Sequence, residues 1–221
     1  MNSLHNAEHA VMQESLLFWS LNGVRQSPKL CTARHQEELL AGGLVTEGRI
    51  ASVSDVLKLD RHGDVYDVTA RLQNNPPADI LERLQRCQPV PVGKSVTPAE
   101  IKDLCAQLLA GKGSFGNHRA MLACEGQTIF REDIGRHNAV DKVIAACLYA
   151  GWDMHRCVLG STGRLSLEML CKAAMAGIPV FFSRKYPGDL AVHWAEKLNI
   201  TLIGKAASDH LAVWGSQSHI V

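Results

Sequence analysis

Between residues 16 and 72 the apolar positions fall in short runs that fit strands better than long helices. Leu16-Leu17-Phe18-Trp19-Ser20-Leu21 reads as an apolar strand closed by Asn22-Gly23, a dipeptide suited to a tight hairpin because both turn residues need positive φ. A helix over residues 35–44 follows, closed by Gly42-Gly43. Alternating strands are expected over 50–59 and 65–72, split by a turn at His62-Gly63-Asp64. Asn74-Asn75-Pro76-Pro77 breaks the chain, and 78–86 suits a short helix. Thr97-Pro98-Ala99-Glu100 has the order of an N-cap, a first-turn proline and a capping-box acid, opening a helix to about residue 109.

From there the pattern switches between periods. Strands are expected over 120–124 and 128–131 around a turn at Glu125-Gly126-Gln127, then a helix over 135–150 and a short strand over 157–159. A helix over 165–176 stops at Gly177, followed by a strand over 178–182, a helix over 187–198, and strands over 200–203 and 211–214. Alternation of this kind predicts an α/β layered sheet. The predicted organisation is a small β-rich α+β region over residues 1–86, a loop over 87–96, and an α/β domain over 97–221. Ligands in open sheets of this class bind at the carboxyl ends of strands. The segments 131–133, 160–164, 183–188 and 204–210 fall there.

Composition narrows the classes. With 221 residues, 46% hydrophobic and 20% charged, the chain can bury a sizeable core. A formal charge of +1 gives no general attraction to nucleic acid or membrane, so anion recognition rests on local cations. No apolar run is long enough to span a bilayer, and the first residues lack the basic start and apolar stretch of a secretion signal, so the cytoplasm is the expected compartment. The seven cysteines are odd in number and scattered without CxxC spacing, which argues against a disulfide framework or a structural zinc site. Cys31 is the first of them; Cys105, Cys124, Cys147, Cys157 and Cys171 fit buried, inert thiols. Cys87 differs, lying beside Arg86 just before Pro89-Val90-Pro91-Val92-Gly93-Lys94, where a thiol is expected to be exposed and partly ionised.

The densest chemistry lies in Glu132-Asp133-Ile134-Gly135-Arg136-His137-Asn138-Ala139-Val140-Asp141-Lys142. Asp133 suits an N-cap, and Gly135 permits close approach of the backbone. Arg136 and His137 then fall at the positive end of a helix, which favours phosphate or carboxylate. His137 and Asp141, and Asn138 and Lys142, are spaced to share helix faces. Solvated charges on a capped surface helix are the alternative. His118, in a glycine-flanked turn, is either a ligand contact or a satisfied structural histidine. Ser161, Thr162 and Arg164 form either a phosphate loop ahead of a helix or a hydroxyl-capped helix start.

The run from Glu132 to Lys142 also resembles the EDxGRHNAxDK signature of the formate dehydrogenase accessory protein family (FdhD/NarQ). Glu38-Leu39-Leu40-Ala41-Gly42-Gly43-Leu44-Val45-Thr46-Glu47-Gly48 is similar to its ELAxGFLxxEG block. Ser161-Thr162-Gly163-Arg164-Leu165-Ser166, Lys172-Ala173, Leu190-Ala191-Val192 and Leu202-Ile203-Gly204 resemble later blocks in order. The resemblance implies a fold similar to the cytidine deaminases for the second half, without their chemistry. Zinc deamination needs paired cysteines behind a His-x-Glu, and His35-Gln36-Glu37 has none.

The resemblance further implies a protein that takes persulfide sulfur from a cysteine desulfurase. It would pass that sulfur to the molybdenum or tungsten bis-molybdopterin guanine dinucleotide cofactor of apo formate dehydrogenase. Carried over, Arg136 and His137, ordered by Asp133, would contact the guanine dinucleotide with His118, Ser161 and Arg164. Lys205, Ser208, Asp209 and His210 occupy the place of the family's cofactor loop after the LxG block, although Ala206-Ala207 there is poor in donors. The family's CGxCG loop is missing, and Cys87 at the edge of the shortened segment is the one position that carries over as persulfide carrier. The alternative is a non-catalytic chaperone that binds the cofactor and has lost transfer; a nucleotide-processing enzyme on a deaminase-like fold is more remote. Apolar residues near Trp214 would suit a homodimer.

Overall fold

The protein is seen in a computed structural model that describes residues 12–110, 116–208 and 210–221. Among the described residues, two sheets and six α-helices make a mixed α/β fold. The first sheet holds β1 (Ser15–Leu21), β2 (Val24–Arg25), β3 (Lys29–Cys31), β4 (Val56–His62) and β5 (Val65–Ala70). Asn22 and Gly23 have φ of 51° and 79°, and they turn β1 back onto β2 as the dipeptide predicts. The strand order is β2-β1-β5-β4, with β3 on β1, and β1 runs parallel to β5. That crossover carries α1 (Gln36–Thr46), whose Leu39, Leu40 and Leu44 bury against Leu17, Trp19, Tyr66 and Val68.

Two expectations in this region are corrected. Gly42-Gly43 does not close the helix; α1 continues to Thr46. The pair serves packing between helices, since a Cβ on Gly42 would overlap the backbone carbonyl of Asp141. The segment expected as strand from residue 50 opens instead with a 3-10 turn over Val53–Asp55. Ser52 and Asp55 cap each other there, and β4 starts only at Val56.

The second sheet, order β11-β10-β9-β8-β6-β7, lies between helices on both faces. Its strands are β6 (His118–Cys124), β7 (Gln127–Asp133), β8 (Val158–Ser161), β9 (Val180–Ser183), β10 (Thr201–Gly204) and β11 (Ala212–Gly215). β8, β9 and β10 are parallel to one another, while the β6–β7 hairpin and β11 are antiparallel to their neighbours. α2 (Ile80–Arg86), α4 (Arg136–Tyr149), α5 (Leu167–Met175) and α6 (Asp189–Lys197) cover one face, where Val140, Ile144, Leu170 and Ala195 meet Leu122, Leu159, Phe181 and Leu202. α3 (Pro98–Ala110) covers the other through Ile101, Leu104 and Leu108. Thr97 Oγ1 accepts the Glu100 N–H at 3.1 Å, as its capping pattern predicts. No described helix is long and apolar enough to cross a membrane.

α1 packs directly on α4, and the Arg131 guanidinium on β7 grips the Glu38 carboxylate of α1 through two contacts of 2.5 and 2.7 Å. The two sheets are therefore joined by the helix that carries the polar signature.

Candidate functional site

β7 delivers Asp133 into the interior rather than to the surface. The carboxylate is fully buried and forms an ion pair with Lys142 one face along α4, Nζ to Oδ2 at 2.5 Å, both side chains having no exposure. The same Oδ2 accepts Thr32 N–H at 3.0 Å and Thr32 Oγ1 at 3.2 Å; Oδ1 accepts Gly135 N–H at 3.0 Å and Asn138 Nδ2 at 2.9 Å. A buried carboxylate holding five donors is satisfied, so its work is to fix the loop entering α4. Asp133 is not the N-cap; Gly135 is, and it supplies no side-chain cap. One turn further, Asp141 binds Lys172 at 2.7 and 2.8 Å and accepts Thr46 Oγ1 at 2.7 Å. Asp141 therefore pairs with a cation of α5 and does not orient His137.

With its entry pinned, α4 opens with Arg136. Its guanidinium has no acidic partner among the described residues, and its buried Nε lacks an acceptor. It packs so tightly on Gly163 that a Cβ there would come within 2.9 Å of it. Gly163 belongs to the turn after β8, whose geometry is set by hydroxyls: Ser161 Oγ accepts Gly163 N–H at 3.1 Å, and Ser183 Oγ at the end of β9 donates to Gly163 O at 2.7 Å. Ser183 O accepts Ala206 N–H at 3.1 Å, which draws the loop after β10 alongside. On the other flank Thr162 Oγ1 accepts Arg119 N–H at 3.0 Å, bringing in the start of β6 and His118. The carboxyl ends of β8, β9 and β10 thus converge with the start of α4 on one face.

Arg136, His118 and Gly163 come together, and burial, with the neighbouring Arg136 charge, lowers the His118 pKa. His137 is lowered for the same two reasons, burial first, against the opposing pull of Glu168, whose Oε2 lies 2.8 Å from Nε2 without hydrogen-bond alignment. Both imidazoles are neutral donors or acceptors at neutral pH. Ser161 is fully buried and its Oγ, like the Asp133 carboxylate, shapes a loop. Arg164 is exposed, and Lys205 is half-buried with a left-handed φ of 53°. Ser208 and His210 bond each other, Oγ to O at 2.8 Å and N–H to Oγ at 3.2 Å, in a self-contained turn. Asp209 lies outside the described residues.

Cys87 sits apart from this face and is not the exposed thiol its loop predicts. It is the half-buried C-cap of α2, with Sγ 3.5 Å from Met175 Sδ of α5. Desolvation, with nearby Cys171, pushes its pKa up to about 11 against a weaker opposing pull from Arg83. At neutral pH it is a protonated thiol, a poor nucleophile.

Sequence reasoning missed the cleft between the two sheets. It has a volume of 510 Å³, and Arg83, His137, Asn138, Asp141, Glu168 and Lys172 line it. A lysine inside the apolar run Met169-Leu170-Cys171-Lys172-Ala173-Ala174 was its signal, because a lysine buried on such a face needs a paired carboxylate. No group of three metal-ligating side chains is found among the described residues.

Residues 78–221 match the FdhD/NarQ family. The chain is 31% identical to the sulfur carrier protein FdhD of Bacillus subtilis (strain 168), covering 91% of this chain and 86% of that one. It is 31% identical to the protein of the same name from Anaeromyxobacter dehalogenans, covering 94% and 87%. A crystal structure from Desulfotalea psychrophila, described as that of a formate dehydrogenase accessory protein, superposes with a TM-score of 0.84 at 27% identity, covering 94% of this chain and 90% of that one.

Proposed function

Because this chain belongs to the FdhD/NarQ family, we propose that it serves the maturation of formate dehydrogenase by holding the guanine-dinucleotide end of the molybdenum or tungsten cofactor. The observation that carries this reading is Arg136, a cation without an acidic partner among the described residues, at the meeting point of the strand-end loops. Its orphaned Nε, the uncapped first turn of α4 and neutral His118 beside it make a site for a pyrophosphate and a donor–acceptor base edge. Arg164 and Lys205 would add charge from neighbouring loops. The bound cofactor would supply the metal and its sulfur ligands; this chain's residues would bind and orient the nucleotide end. The β6–β7 hairpin, antiparallel β6–β8 and parallel β8–β9–β10 support reading the second sheet as cytidine-deaminase-like.

A second reading keeps sulfur carriage on Cys87, with a cysteine desulfurase as donor and the cofactor as acceptor. It is favoured by the relatives' name and by the residual exposure of Cys87. Transfer requires the thiolate to attack sulfane sulfur, and burial disfavours that thiolate. Formate dehydrogenase activity in cells lacking their own family member separates the two. Wild type and Cys87→Ala should both restore activity, and Arg136→Ala should not. Loss in a folded Cys87→Ala protein, with a sulfur-mass adduct on wild-type Cys87 after incubation with desulfurase and cysteine, would establish carriage instead. Failure of the wild type would remove both readings.

A further inference from the structure

At the opposite end of the second sheet, β6 and β8 place two thiols face to face. Ala123 pairs with Val158 in the antiparallel ladder, so one step onward Cys124 stands opposite Cys157. Directly opposed residues have Cα atoms about 4.5–5.5 Å apart, inside the span of about 4.4–6.8 Å that a disulfide bridges. Both side chains lie on the sheet face that carries Leu122 and Leu159, and the Cys157 thiol, which donates to Asp153 O at 3.3 Å, lies beside that of Cys124. The Cys157 backbone is extended (φ −95°, ψ 155°), continuing the strand into the pair.

The two thiols differ in access. Cys157 is fully buried, whereas Cys124 is partly exposed at the end of β6, next to the turn into β7. A reagent approaching from solvent meets Cys124 first, with Cys157 opposite it in the ladder.

We propose that Cys124 and Cys157 form a reversible cross-strand disulfide by exchange with a low-molecular-weight disulfide. Cys124 loses its proton to water and attacks one sulfur of the incoming disulfide, forming a mixed disulfide and expelling one thiolate. Cys157, whose thiolate burial disfavours, deprotonates once the mixed disulfide has removed the opposing charge on Cys124, attacks the Cys124 sulfur and expels the second thiolate. Two protein thiols are oxidised by two electrons, and the reagent is reduced to two thiols. The new bond closes a loop that contains β7 and α4, and with them Asp133, Arg136 and His137. It is independent of the cofactor reading, because it lies at the other end of the strands.

The test is incubation of the full chain with glutathione disulfide, followed by peptide mass mapping without reduction. Wild type should yield a linked pair of peptides carrying Cys124 and Cys157, cleaved by a dithiol reductant, and Cys147→Ala should yield the same link. Cys157→Ala should instead accumulate glutathione on Cys124. An unlinked wild type, a stable glutathione adduct on wild-type Cys124, or a link from Cys124 to Cys147 would each overturn the proposal.

Discussion

Replacing Lys142 by Ala is expected to destabilise the fold by about 3–5 kcal/mol, the cost of leaving a buried charge without its counter-ion. Lys142 and Asp133 have no side-chain exposure, so solvent cannot screen the carboxylate that remains. Lys142 also donates to Thr32 Oγ1 at 2.9 Å and to Arg34 O at 2.7 Å. The loss therefore reaches the segment between β3 and α1 as well as α4, and the two sheets should loosen together. Urea unfolding followed by circular dichroism measures it as a lower midpoint with unchanged slope. A Lys142→Ala protein as stable as wild type would mean that the pair contributes nothing net.

Gly42→Ala should cost about 3 kcal/mol, at the upper end for overpacking, because the obstacle is backbone and no rotamer relieves it. The added methyl would overlap the Asp141 carbonyl of α4, and separating the helices would strain the Thr46–Asp141–Lys172 network beside it. Gly43 is the internal control. A Cβ there meets nothing closer than Lys29 Nζ at 3.7 Å. Gly43→Ala should be neutral, or stabilising by up to about 1 kcal/mol through helix propensity. Thermal unfolding of the two variants side by side separates close packing from propensity; equal effects would contradict the packing account.

These glycines show where sequence reasoning stops. Period-two and helical patterns located most strands, helices and turns of both halves, though not β3 or the start of β4, and the loops at the carboxyl ends of β8, β9 and β10 were legible because alternation dictates where they fall. What decides between a helix-ending and a helix-packing glycine is a backbone about a hundred residues away, which local pattern does not contain. The parallel pairing of β1 with β5 was hidden for the same reason. Asn138 and Lys142 do share a face, as their spacing predicts, yet both reach inward to Asp133. Lys142 is buried because Thr32 and the segment leading into α1 lie over it. Cys87 was misread because its exposure is set by Met175 on α5 rather than by the proline-rich segment that follows it.

On the proposed reading, Arg136 anchors the nucleotide end of the cofactor. Isothermal titration of the purified chain with guanosine diphosphate tests it most directly, beside Arg136→Ala and the exposed, remote Lys58→Ala. Saturable binding is predicted for wild type and Lys58→Ala. Arg136→Ala should bind about ten- to a hundredfold more weakly, the loss of one charge-assisted contact. Undiminished affinity in folded Arg136→Ala, or no binding by folded wild type, would contradict it.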